Sequence, residues 1–98
     1  MAQVSAELAE IEQAILDVPQ VRGVSALHAL DRGDDGLVIV TRVGLSPSLR
    51  LADVVLAIAD VEHKVKTTDS RVAAVFVEPD IAADSGTPTE TIVIRALD

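Results

Sequence analysis

Apolar residues recur at helical spacing at Leu8, Ile11 and Ile15, with Glu7, Glu10 and Glu12 on the other side, which predicts an amphipathic helix from Ser5 to Leu16. Asp17-Val18-Pro19 stops it, because the residue before a proline avoids helical dihedrals. An extended run follows from Val21 to about Leu30. Arg32-Gly33-Asp34-Asp35-Gly36 is a hairpin signal, with glycines available for positive φ, and Leu37 to Leu45 is a second, β-branched strand. Ser46-Pro47-Ser48 carries the chemistry of a helix N-cap, and Leu51, Val55, Ile58 and Val65 give the next helix its apolar stripe, opposite Asp60, Glu62, Lys64 and Lys66. Asp69-Ser70 ends that helix. Val72 to Val77 predicts a third strand, closed by Glu78-Pro79.

The resulting order is α-β-β-α-β, an α+β domain over residues 1–80. A C-terminal extension, 81–98, starts with an Ala/Asp/Ser/Gly/Pro segment and ends in "TETIVIRA" (89–96), which has the character of an added edge strand. In the second strand Leu37, Ile39, Val43 and Leu45 fall on one side while Val38 and Val40 fall on the other, so the sheet is apolar on both faces. Two helices cover one face. The other predicts a second copy of the chain as its cover, and hence a homodimer.

Composition strengthens that expectation. The 98 residues are 49% apolar, almost all small aliphatics, with one Phe and neither Trp nor Tyr. Such a core is thin, and association adds buried apolar area at roughly 25 cal/mol per Å². The formal charge of −8 repels phosphate backbones, so nucleic acid is not an expected partner. Without cysteine there is neither a disulfide framework nor a thiolate zinc site. The first residues lack the basic-then-apolar pattern of a secretory leader. The longest apolar stretch, Leu49 to Val61, is interrupted by Arg50, Asp53 and Asp60, so this segment is expected to be soluble, without membrane insertion. No Gly-rich phosphate loop, nucleophile elbow or cysteine nucleophile is present, and an enzyme is not expected.

Three stretches together carry a resemblance. Val18-Pro19-Gln20-Val21-Arg22-Gly23-Val24-Ser25-Ala26-Leu27-His28-Ala29-Leu30 resembles the "VPGVxGVHDLHVW" opening of the cytoplasmic C-terminal domain of cation diffusion facilitator (cation efflux) transporters. Leu45 to Asp53 is similar to that family's start of the second helix, and Val75-Phe76-Val77-Glu78-Pro79 to its closing "vhvEP" strand; together they span Ile11 to Pro79. The resemblance implies a ferredoxin-like two-layer sandwich, a cytoplasmic dimer, and a regulatory role beside the membrane transport domain of a zinc, manganese or iron class transporter.

For metal ligands the carry-over is partial. The family's first motif histidine corresponds to Ser25 and its second to His28; Arg42 and Val55 stand where further ligands are common, and the acid before the closing proline is kept as Glu78. The resemblance therefore implies a zinc or manganese site of reduced strength, or none. Its candidates are His28 and Glu78, with Asp31 or Asp34 of the acidic turn, water or a residue of a second copy to complete it. Against this stands a structural histidine bonded to a backbone carbonyl. Asp60 and His63, three apart on one helix, form a lesser candidate pair, and Asp35 adds to the acidic turn without the calcium-loop pattern. The alternative to a transporter domain is a stand-alone ferredoxin-like module that binds a small ligand or another protein.

Overall fold

In the computed structural model, residues 2–82 and 90–95 are described, with side chains from 8–82 and 91–94. Seven elements follow in order: α1 (Ala2–Leu16), β1 (Val21–Asp31), a 3-10 turn (Gly33–Asp35), β2 (Leu37–Leu45), α2 (Leu51–Thr68), β3 (Val72–Ile81) and β4 (Glu90–Arg95). The strands make one sheet in the order β3-β2-β1-β4. The hairpin β1–β2 is antiparallel, whereas β3 joins β2 and β4 joins β1 in parallel. This is a two-helix, four-strand α+β sandwich of ferredoxin-like type. The expected edge strand exists as β4; Thr89 and Ala96, its predicted ends, lie outside the described residues, as does the side chain of Glu7.

Both helices lie on one face of the sheet, and alternation along the strands supplies what they bury. From α1 come Leu8, Ile11, Ala14 and Ile15, from β1 Val24, Leu27 and Ala29, and from β2 Leu37, Ile39 and Val43. Each fully buried Val, Leu or Ile contributes about 1.5–3 kcal/mol relative to exposure. Within this core the buried Thr41 side chain is satisfied: its hydroxyl donates to the Ala26 carbonyl at 2.8 Å. That carbonyl adjoins a bulge where Ser25 is the extra residue of β1, between the pairs Val24–Val43 and Ala26–Arg42.

Three sequence expectations need correction. The buried stripe of α2 is Ala57 and Val61 with the expected Val65, and Val54 is packed beside them, whereas Ile58 is half-buried and Leu51 and Val55 are exposed. The N-terminal half of this helix is apolar round most of its circumference, so periodicity offers two stripes, and the one turned to the sheet is buried. Ser46 and Ser48 do not cap α2. The Ser46 hydroxyl instead accepts from the Ser48 N–H, and the helix starts at Leu51, where the Asp53 carboxylate accepts from the Arg50 N–H at 3.3 Å. Finally, β3 does not stop at Glu78-Pro79 but continues to Ile81. It is an edge strand, where the N–H that proline lacks would face solvent.

One glycine is obligatory. Gly36 closes the turn with φ +89°, and a Cβ there would lie 2.6 Å from the Arg71 carbonyl oxygen. The same carbonyl accepts the Leu37 N–H at 2.8 Å, which ties the start of β2 to the start of β3.

Candidate functional site on the helix-free sheet face

The face of the sheet turned away from the helices is built from the alternate residues of all four strands. Its central row runs Phe76 on β3, Val40 on β2, His28 on β1 and Ile92 on β4, each in register with the next. The row beside it is Ala74, Val38, Leu30 and Ile94; on the other side lie Glu78, Arg42 and Ala26, with Glu90 in register beyond. The chain's one phenylalanine is here 60% exposed, Ile94 is 56% and Val40 42% exposed. Large apolar side chains gathered this way on an uncovered face mark an interaction surface.

Among the residues of this face whose side chains are described, the polar chemistry belongs to His28, Arg42 and Glu78. Arg42 and Glu78 are direct cross-strand neighbours, and the guanidinium donates from both Nε and Nη2 to Glu78 Oε1 at 3.3 Å. The two side chains are 47% and 65% exposed, so the pair contributes little more than about 0–1 kcal/mol. His28 lies two strands and two residues from Glu78. With strands ~4.8 Å apart and ~3.4 Å per residue, that is roughly 12 Å between their Cα atoms. Within one chain the imidazole and this carboxylate are not brought together.

The other candidate ligands are elsewhere. By strand alternation Asp31 falls on the opposite face from His28, and its Oδ1 accepts the Gly33 N–H at 2.9 Å, shaping the turn. Asp34 and Asp35 are exposed in that turn, where with Asp31 and Arg71 they line an open hollow. The Ser25 hydroxyl is buried in the bulge and has no hydrogen-bond partner among the described residues. Val55, Asp60 and His63 are exposed on α2, across the sheet from His28. Among the described residues, no three His, Cys, Asp or Glu side chains are grouped closely enough to hold a metal ion. Arg71 donates to Asp69 and holds that carboxyl below its ordinary range, against the opposing effect of burial.

Two features of this face were not anticipated in the sequence. The Arg42–Glu78 contact depends on β2 and β3 pairing in parallel register, which residue patterns along single strands do not specify. The exposure of Phe76 follows from the same pairing, although its place between the buried Val75 and the half-buried Val77 already carries the period-two signal.

Compared with known proteins, the chain matches no family model and no curated protein sequence. Its fold is shared with solved C-terminal domains of MamM, a cation diffusion facilitator. A MamM CTD in its copper form superposes with TM-score 0.84 at 20% identity, over 94% of this chain and 89% of that one. A substituted MamM CTD in its manganese form gives 0.80 at 21% identity over 91% and 96%, and one in a zinc form gives 0.76 at 21% over 87% and 92%. Among the described residues no helix is long and apolar enough to cross a membrane.

Proposed function

We propose that the chain is a regulatory domain of a divalent-cation efflux transporter. It acts as a non-catalytic pair of copies on the cytoplasmic side of that transporter's membrane domain. The observation that carries this reading is the fold shared with MamM C-terminal domains over more than nine-tenths of the chain. The sequence resemblance, drawn from the strand ends and the start of the second helix, points to the same class.

The helix-free face supplies the surface for pairing. Phe76, Val40, Ile92 and Ile94 form its apolar centre, and at its rim the Arg42 guanidinium offsets the Glu78 carboxylate. The footprint of three to four strands of this length is roughly 400–500 Å² per copy, about half a standard interface. Pairing is therefore expected to be micromolar rather than nanomolar. A second copy could bring a further carboxylate opposite His28, from which Glu78 of the same chain is distant. Zinc or manganese binding of the isolated domain is accordingly weak.

Light scattering tests the pairing. A mass about twice 10.3 kDa is expected at tens of micromolar, and Phe76→Asp, at an exposed position, should return the monomer with its circular dichroism spectrum intact. A monomeric wild type under those conditions would leave the stand-alone interaction module as the better reading.

A further inference from the structure

Among the residues of the helix-free face whose side chains are described, the donor set does not fit a divalent cation. Glu78 already accepts two hydrogen bonds from a positive side chain, His28 stands about 12 Å from it by strand geometry, and Asp31 lies on the other face. The group beside the carboxylate is itself a cation. We propose that the Arg42 guanidinium takes the place of a divalent metal ion on this face, neutralising Glu78 with a covalent part of the chain, and that Arg42 decides against metal there.

The strength of the ion pair is not what excludes a metal. Both partners are about half exposed or more, and an ion gripped by several ligands would displace so weak a contact. Two other effects decide. A fixed positive charge a few ångströms away raises the potential that an approaching cation meets. More importantly, position 42 is the place from which a bridging ligand would act, and a guanidinium has no lone pair to offer. Residue 42 is the direct neighbour of Glu78 on β3, while on β1 it pairs with Ala26 and is diagonal to His28, two residues further on. Direct cross-strand Cβ atoms are about 5 Å apart and diagonal neighbours about 7–8 Å. An imidazole at position 42 would therefore lie between the other two donors, giving a three-ligand set on one face.

The consequence for regulation rests on the transporter reading given above. A Glu78 neutralised by the chain's own arginine keeps one electrostatic state at every cation concentration, so the pairing of two copies across this face is insensitive to metal and to chelators.

Calorimetric titration with zinc chloride, and then manganese chloride, tests the assignment in the wild type, Arg42→His, Arg42→Gln and the double variant Arg42→His/Glu78→Gln. Arg42→His should bind zinc on the order of a hundredfold more tightly than the wild type, and the double variant should lose most of that gain. Arg42→Gln removes the charge without supplying a ligand and should gain only a few-fold. Thermal melts establish that each variant is folded, which position 42, an exposed strand site, permits. Arg42→His binding no more tightly than the wild type would overturn the proposal, as would stoichiometric submicromolar zinc in the wild type that is lost in Glu78→Gln. Light scattering with zinc and with EDTA separates the two readings. A wild type monomeric in both defeats the pairing and leaves the Arg42 assignment to the titrations, whereas a wild-type mass that changes with zinc defeats the Arg42 assignment itself.

Discussion

The two faces of the sheet are made from neighbouring residues of the same strands, yet they have opposite fates. On the helix side Leu27, Ile39 and Val43 are completely buried, and their one polar companion, Thr41, spends its hydroxyl on a backbone carbonyl. On the other side Val40, Phe76, Ile92 and Ile94 are of similar apolarity but are 39–60% exposed, beside a histidine and an arginine–glutamate pair. Apolarity alone therefore does not distinguish core from surface in this chain. What distinguishes them is whether α1 and α2 reach across, and both helices lie on one side. The uncovered face is where mutation should change association and ion binding, and the covered face is where it should change folding.

The largest effect that sharpens this contrast comes from adjacent positions in β2. Ile39→Ala should lower unfolding free energy by about 2–5 kcal/mol, through lost transfer energy and a cavity among packed neighbours. Val40→Ala, one residue along and 42% exposed, should cost under about 1 kcal/mol in dilute protein. Denaturant titration at low concentration measures both, and equal losses would mean that the two faces are equally packed in the monomer. Thr41→Val is expected to come next, at about 1 kcal/mol. It keeps the volume but removes the hydrogen bond to Ala26, leaving that carbonyl at the bulge without the Thr41 hydroxyl. A neutral outcome would show that another donor takes its place.

The smallest expected effect belongs to neither face and serves as a reference. Asp69, between α2 and β3, has its carboxyl held below the ordinary 3.8 mainly by the hydrogen bond from Arg71. A lowered native value means that the group stabilises the fold above about 3.8 and that this stability is lost as pH falls below it, through the native value. Asp69→Asn should cost less than about 1 kcal/mol at neutral pH and flatten the acid limb of a stability–pH curve. An unchanged acid limb would remove Asp69 from the account.

The order of elements was legible because each has its own local signal: a helical period ended by Asp17-Val18-Pro19, a glycine-bounded turn, and strands dense in β-branched residues. The span of β2, Leu37 to Leu45, is recovered without change from the sequence, since Gly36 and Ser46-Pro47 bound it on both sides. The end of β3 was not, because Pro79 forbids a ladder hydrogen bond only in a central strand, and whether β3 is central or at an edge is a property of the whole sheet. The burial of α2 was misjudged for a related reason. Leu51 and Val55 are as apolar as Val61, and nothing along the helix states which stripe will meet β3.

The candidate site divides in the same way. His28 in an extended run, Glu78 before a proline and an acidic turn are all visible in the chain, as is the apolarity of both sides of β2. Their distances are not. That His28 and Glu78 share a face but stand two strands apart, that Asp31 points to the opposite face, and that Arg42 meets Glu78 are consequences of strand order and register. Local residue chemistry determines which elements form and which groups are available, because it acts over a few residues. Which groups meet is decided by both helices packing on one side and by the pairing of β2 with β3, which joins residues more than thirty positions apart, where no local preference reaches.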